Sequence, residues 1–371
     1  MTQEMTNALR YIGKADYSGP SEAPILTPEM PSHKSYSSTP ASLILGLETS
    51  CDDTSASVVK NGSEILSNIV SSQIDIHAKF GGIVPEIASR KHVELINPVI
   101  QEALDVAGIG FSDLDAVAVT NRPGLLGALL TGVSAAKSIS AAMEIPIIGV
   151  HHLEGHIYAN FLINPDWQFP FICLVVSGGH TDLVVVRGHG DYEILGRTRD
   201  DAAGEAFDKS ARVLGLPYPG GPVIDRLAAS GNPKAVHFPR ARLDDTLDFS
   251  FSGIKTAMIR FFEHKPADMS VEDVAASFQA AVVDMLVNTS LAAVERTGIR
   301  RLALAGGVAA NSGLQARMRE QAEINHIELN YPPPRLCTDN AAMIASAGYY
   351  HLINSRMDDL ALDTIASQPL R

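Results

Sequence analysis

Cysteine is scarce in this 371-residue chain: Cys51, Cys173 and Cys337 stand far apart, and three thiols so placed do not make a disulfide framework. Their spacing also excludes a cysteine-type zinc cluster. No apolar run approaches the length of a membrane span, and no basic stretch followed by an apolar core opens the chain. Neither an anchor nor a secretory signal is therefore expected, and the cytoplasm is the expected compartment. Positive charge is in deficit as well. With 29 Lys and Arg against 42 Asp and Glu, the net charge of −13 opposes non-specific binding to a polyanion. Any RNA partner would need a local basic patch or a helper protein. What remains is a globular composition, 46% hydrophobic with a mean hydropathy of +0.08, long enough to bury a large core divided between two lobes.

Residues 1–41 lack a convincing apolar period and are rich in Ser, Pro and Thr, which reads as a disordered leader. Glu4, Asp16, Glu22 and Glu29 argue against an Arg-rich, acid-poor organellar presequence.

Histidine, in contrast, is concentrated. The run His151-His152-Leu153-Glu154-Gly155-His156 follows the apolar strand 146–150 and opens a helical stretch. On a helix, His152 and His156 share one face and can grip one metal ion, while Glu154 points away. That placement departs from the zinc-protease pattern His-Glu-x-x-His, and Gly155 breaks the inverted form of it. A structural pair of histidines at a helix N-terminus is the competing reading, and a metal would need a third ligand from elsewhere.

The fold begins with a strand at 43–48, a tip of hydroxyls and carboxylates at 49–54, and a return strand. The same plan recurs at 171–176, with the tip Ser177-Gly178-Gly179-His180-Thr181 and a return strand at 182–186. Two such hairpins suggest two homologous lobes, and small residues at a tip let backbone N–H groups approach an anion. Between them, Pro85 opens a helix with apolar positions at Ile87, Leu95, Ile96 and Val99, a strand follows at 114–119, and the small-residue stretch after Pro123-Gly124 makes a close-packing helix. Alternating strands and helices predict a mostly parallel α/β organisation with added hairpins.

Further along, Asp200, Asp201, Glu205 and Asp208 recur on one side of an expected helix start, either to hold a ligand or as a solvated charged face. Ser270 and Asp273 form a capping signature for a long helix ending near Gly298. The strand 301–305 runs into Gly306-Gly307, a turn expected to open a helix at a nucleotide-friendly place, although it lacks the dinucleotide fingerprint of a Rossmann dehydrogenase. Finally Asp339 stands at the mouth of the last helix. It is the best candidate for the third ligand, with a capping aspartate as the alternative.

Taken together, residues 48–52, 85–90, 151–156, 177–181, 202–209, 218–222, 249–256, 306–311 and 337–343 resemble the TsaD family, the tRNA adenosine threonylcarbamoyltransferases formerly described as glycoproteases. The resemblance covers nearly everything after the leader. It implies an actin-like, sugar-kinase-like two-lobe fold: a first lobe at 42–165 completed by the C-terminal helix around 339–355, and a second at 166–335. The implied reaction is transfer of threonylcarbamoyl from its adenylate, threonylcarbamoyl-AMP, to the adenosine 3′ of the anticodon in tRNAs reading codons that begin with A. The implied metal ligands are His152, His156 and Asp339, with Fe(2+) usual and Zn(2+) possible. The implied nucleotide and substrate contacts are Val175, Val176, Ser177, Gly178, Gly179, Asp208, Gly221, Asp225 and Asn311. The implied partners are tRNA, a paralogous subunit of the TsaB kind and an ATPase of the TsaE kind. No catalytic side chain is assigned, because the attacking amine belongs to the tRNA.

The chain departs from the family's usual pattern at two points: Asp53 stands where glutamate is common, and Asn121-Arg122-Pro123-Gly124 puts a bulky cation on a turn that is more often Gly-Pro-Gly. Two other function classes compete. A metalloprotease is disfavoured by the displaced Glu154, and a sugar-kinase-type ATPase by the His-His-Asp set.

Overall fold

Aliphatic and β-branched residues dominate the first described segments of the computed structural model, which covers residues 42–370 apart from 242, 244, 245, 265 and 267. The expected leader lies outside the described residues. Strands β1 (Leu43–Glu48), β2 (Asp53–Lys60) and β3 (Glu64–Ser72) form an antiparallel meander. A single helical turn, α1 (Ile74–His77), leads to α2 (Pro85–Ala107), which has proline at its first position and Gly108 as a left-handed C-cap. Then β4 (Ala116–Arg122), α3 (Leu126–Met143), β5 (Ile147–His151) and α4 (His152–Ile163) follow. The sheet order is β3-β2-β1-β4-β5, with β1, β4 and β5 parallel.

The second half repeats the plan. It runs β6 (Phe171–Val176), β7 (Thr181–Gly188), β8 (Asp191–Arg197), α5 (Ala203–Val213), α6 (Gly220–Ala228), α7 (Ser252–Glu263) and α8 (Val271–Thr297), and continues with β9 (Arg301–Ala305), α9 (Ser312–Ile324) and β10 (Glu328–Asn330). Its sheet, β10-β9-β6-β7-β8, has the antiparallel β6-β7-β8 meander and the parallel pairs β6-β9 and β9-β10, so it is the first sheet's topology over again. The chain then closes with α10 (Pro334–Cys337) and α11 (Ala341–Ile353).

Three apolar clusters define the layers. One face of the first sheet packs on α2 and α3 through Leu45, Leu47, Val117, Val119, Ile96 and Ile100. Its other face meets α4 and α11, which lie between the sheets and are covered on their far side by Cys173, Val175, Val184 and Ala303. The outer face of the second sheet packs on α5, α8 and α9. Both α3 and α8 are long and apolar enough to cross a membrane by length and composition, which the sequence reading did not anticipate. In α8 the apolarity serves the core, since Phe278, Val282 and Leu286 are fully buried.

Local signals explain most boundaries. Ser270 caps α8 by accepting from the Asp273 amide, and Gly298 ends it at φ +72°. The helix expected at Asp200 starts instead at Ala203. Asp200 accepts from the amides of Phe251 and Ser252 and from both serine hydroxyls beside them, so its carboxylate pins the segment before α7. The Gly306-Gly307 turn leads first into a short 3-10 turn, Gly307–Ala310, and the α-helix begins only at Ser312.

Close backbone contact seats α11 on the first sheet. A Cβ added at Gly46 of β1 would fall 2.2 Å from the Ala341 carbonyl oxygen and 2.7 Å from the Ala345 nitrogen. Replacing Gly46 by Val is therefore expected to destabilise the protein by about 1–3 kcal/mol, the usual cost of overpacking, read from the urea midpoint. An unchanged midpoint would show that α11 can move away from β1.

Candidate metal centre and the adjoining cleft

The metal candidates converge at the start of two helices. His152 and His156, one turn apart on α4, bring their rings to 4.7 Å between centroids, nearly perpendicular. From the start of α11, Asp339 Oδ1 reaches to 3.2 Å from His156 Nε2 and 3.6 Å from His152 Nε2. One ligand atom from each of the three residues lies within 4.8 Å of the others. The N-cap of α11 is Asn340, whose side chain accepts from the Met343 amide. Asp339 is therefore not occupied as a cap, and its carboxylate is free to face the imidazoles.

His156 is fully buried; among the described residues its Nδ1 has no hydrogen-bond partner, and its Nε2 faces only Asp339, at 3.2 Å, without the alignment of a hydrogen bond. An orphaned, buried imidazole facing a carboxylate fits a metal ligand, because leaving such a polar group unmet costs stability. Two imidazoles and one carboxylate are a donor set suited to iron or zinc.

His152 is held from behind. Its Nδ1 lies 3.0 Å from Glu48 Oε2 and 3.1 Å from Ser50 Oγ. The buried Glu48 carboxylate also accepts from the Ser50 amide at 2.5 Å and from Thr120 Oγ1 at 2.6 Å. Burial works against charge on His152, and the carboxylates of Asp339 and Glu48 outweigh it, lifting the imidazole to about 9. Burial likewise opposes charge on Asp339, but the positive His152 prevails and holds the carboxyl well below the usual range. The imidazolium must lose its proton before it can ligate a metal. Glu154 plays no part here: it faces away and accepts from Tyr192 Oη and His351 Nε2 at 2.6 and 2.9 Å. The carboxylate a protease would need beside the metal is engaged elsewhere.

The tip of the first hairpin is acidic and poorly solvated. Burial pushes the Asp53 carboxyl up to about 7, with smaller contributions from Asp339, Asp52 and Glu48, and it raises Cys51 well above the normal thiol range. His92 on α2 braces this tip, meeting Thr54 Oγ1 at 2.8 Å and the Cys51 carbonyl at 3.0 Å. Across the cleft, burial holds His180 down to about 4, helped by the neighbouring His152. It is a neutral ring beside the candidate metal centre.

The predicted substrate contacts lie along one rim of the second sheet. Val175 and Val176 end β6 and are buried, whereas beyond Gly178 and Gly179 there is open space. The Ser177 carbonyl accepts from the Gly204 amide, tying the tip to the start of α5. Asp208 of α5 accepts from the Gly220 amide at 2.7 Å, so it fixes the start of α6, and the space above Gly221 is open. Asp225 is committed to Ser312, accepting from its amide and hydroxyl. Asn311 caps α9 through the Leu314 amide and donates to Gln279. Gly306, at φ +87°, lies so close to Val176 that a Cβ would be 2.4 Å from its carbonyl oxygen. The hairpin tip, the α5 and α6 starts and the glycine turn are thus joined side by side. Sequence reasoning assigned no role to Glu48, Ser50, Thr120, His180 or Gln279. Glu48 and Ser50 sat inside a quoted motif, but only the fold brings them 102 to 104 positions along the chain to His152.

The family described as tRNA N6-adenosine threonylcarbamoyltransferase, TsaD, matches residues 64–346. A relative of that name from Clostridioides difficile (strain 630) is 56% identical over 327 residues, 87% of this chain and 97% of the relative. Another, from Trichlorobacter lovleyi, is 55% identical over 332 residues, 88% and 97% of the two chains. Among solved structures, HypF of T. kodakarensis aligns with a TM-score of 0.56 at 14% identity, over 85% of this chain and 48% of that one. Component A of (R)-2-hydroxyglutaryl-CoA dehydratase from Acidaminococcus fermentans aligns at 0.51 and 15%, over 85% and 100%. These distant likenesses speak to the shared two-lobe fold.

Replacing Glu48 by Gln keeps the side chain's shape and removes the charge that orients His152. Affinity for Fe(2+) or Zn(2+), measured by competition with a chromogenic chelator, is expected to fall about 10- to 100-fold while far-UV circular dichroism is retained. Unaltered affinity would mean that Glu48 only fills space.

Proposed function

The chain belongs to the TsaD family of tRNA N6-adenosine threonylcarbamoyltransferases, and from that premise we propose how its cleft carries out the transfer. The enzyme transfers threonylcarbamoyl to the adenosine 3′ of the anticodon in tRNAs reading codons that begin with A. The proposed donor is threonylcarbamoyl-AMP. The N6–C bond forms as the bond from the carbamoyl carbon to the phosphate oxygen breaks, AMP leaves with that electron pair, and the amine gives up one proton. The observation that carries this placement is the convergence of His152, His156 and Asp339 beside a rim that offers backbone N–H groups and open space.

His152, His156 and Asp339 would hold a divalent metal, Fe(2+) by preference and Zn(2+) as the alternative, which would offset phosphate charge and orient the adenylate. Ser177, Gly178 and Gly179 admit the phosphate because no side chain stands above the glycines. Asp208 and Asp225 act by holding the α6 and α9 starts in place, and Gly221 and Asn311 complete the rim. We place the first lobe at 42–165 with the helix around 339–355, which agrees with the packing of α11 on β1, β2 and β4, and the second at 166–335.

The cytoplasm, where tRNA is found, is the proposed compartment. Of the basic residues that could meet tRNA, Lys91, Arg199 and Arg240 are paired with Glu94, Asp248 and Asp284, while Arg90 and Arg197 are exposed. Three of these five cations are thus already paired, and a chain of net charge −13 has a weak grip on a polyanion, so tRNA delivery by partners is part of the proposal. A TsaB-like subunit would dock on α3, whose Leu126 and Leu130 are more than half exposed beside Val93 of α2, with a TsaE-like ATPase as the further partner.

Two outcomes are expected. Replacing Gly178 by Val places a β-branched side chain where the phosphate would approach, so adenylate affinity measured by calorimetry should drop about tenfold or more with the unfolding midpoint preserved; unchanged affinity would move the donor elsewhere. In reconstitution with donor, tRNA and metal, the isolated chain should form little threonylcarbamoyladenosine by nucleoside analysis. Adding the TsaB-like and TsaE-like proteins should stimulate it strongly, with tRNA binding that weakens steeply as salt rises. Full multiple-turnover activity from the chain alone would refute the partner requirement.

A further inference from the structure

A cavity of about 310 Å³ opens on the other side of α4, along the face that carries Glu154 instead of His152 and His156. It lies among the starts of α4 and the β7–β8 turn, the end of α11 and the C-terminal tail, and its wall is mainly polar. The acids in it are already answered. Glu154 accepts from Tyr192 and His351, and Asp358 accepts from the Gly149 amide at 2.7 Å. His151 is answered too: its Nδ1 accepts from the Leu153 amide, which leaves Nε2 to donate to the Gln368 carbonyl at 3.0 Å.

Two cations in the wall are not answered. Arg122 donates only to the neutral Asn121 side chain, at 2.5 Å, and among the described residues neither Arg122 nor Arg356 forms an ion pair. Arg356 is held over the backbone of Gly190, where a Cβ would lie 1.6 Å from its Nη1, so the absence of a side chain there makes its seat. Beside them the buried Gln368 Oε1 has no hydrogen-bond partner among the described residues. An unpaired guanidinium is a planar donor matched to carboxylate or phosphate, and an orphaned amide oxygen asks for a hydroxyl or amine donor. The volume is at the lower end of what small-molecule sites enclose.

We propose that this cavity is a second ligand site, separate from the metal cleft, for a small molecule that carries a phosphate or carboxylate for Arg122 and Arg356 and a hydroxyl or amine for Gln368. The ligand would touch His151 and Glu154, so it would bear on α4, the helix that carries the metal candidates. Arg122 is the cation that stands out in the sequence on its turn, and the cavity supplies the reason for a charged residue there.

The test is calorimetric titration of the full chain with inorganic phosphate, glycerate and glycerol 3-phosphate at matched ionic strength. Saturable binding of at least one probe is expected, and which probes bind separates phosphate from carboxylate recognition. Arg122→Gln and Arg356→Gln should each weaken it at least tenfold, while Gly178→Val, in the metal cleft, leaves it unaltered. On the wild-type chain, the bound probe should protect Arg122 and Arg356 from phenylglyoxal, read by peptide mass spectrometry, which makes the point independently of variants. The proposal is overturned if none of the three probes saturates, if binding survives in both arginine variants, if it is lost in Gly178→Val, or if neither arginine is protected.

Discussion

Close packing of α11 against both β1 and α4 is the constraint on which the site depends. Gly46 lets the helix backbone lie directly on the strand, and Gly348, where a Cβ would meet Ala118 Cβ at 2.4 Å, does the same one strand over. Gly155 acts on the other side, since a Cβ there would press on Ile344 and Met343 of α11. These small residues set how deep the start of α11 sits, and with it Asp339. A helix displaced by one methyl layer would carry the carboxylate away from the imidazoles. The glycine that breaks the resemblance of 151–156 to a protease motif is thus part of what brings the third ligand within reach.

The second constraint is electrostatic. Glu48, His152, His156 and Asp339 are gathered where water is largely excluded, and unpaired charges there would be costly. Each carboxylate is met by an imidazole, a hydroxyl or an amide, except where Asp339 faces the cleft. Asp53 is less compensated: among the described residues one of its oxygens is buried without a partner, and burial outweighs its bond to Ser72 and raises the carboxyl. The cleft therefore contains fewer fixed negative charges than its count of acids suggests, which suits the proposed phosphate-bearing donor.

Both sheets place their candidate site residues at the same kind of position, the tips that follow β1 and β6 and the turns that follow β5 and β9. Parallel strands ending side by side make such a crevice. The duplicated topology has diverged in use. In the first half the tip and the β5 turn surround the candidate metal centre with acids and imidazoles, whereas in the second the tip and the β9 turn expose glycine backbone.

Much of this was legible in the chain itself. The two hairpins, the long α8 with its Ser270 cap and Gly298 stop, and the shared face of His152 and His156 follow from local periodicity and capping chemistry, which act over a few residues and leave a pattern in sequence. The remaining candidate site residues came from the resemblance alone. What local pattern did not contain is how polar groups far apart in the chain use one another. Asp200 and Asp208 read either as ligand carboxylates or as a solvated face, and Asp225 entered only through the resemblance; the bonds these three make to the backbone of other helix starts had no local sign. Asp339 read as a ligand or as a cap, and the structure gives the cap to Asn340. Glu48 carried no local sign of its bond to His152, and the cavity between Arg122 and Arg356 brings together residues more than two hundred positions apart. Backbone periodicity is decided by neighbours along the chain. Which buried donor meets which acceptor is decided by packing, and only the tertiary structure determines that.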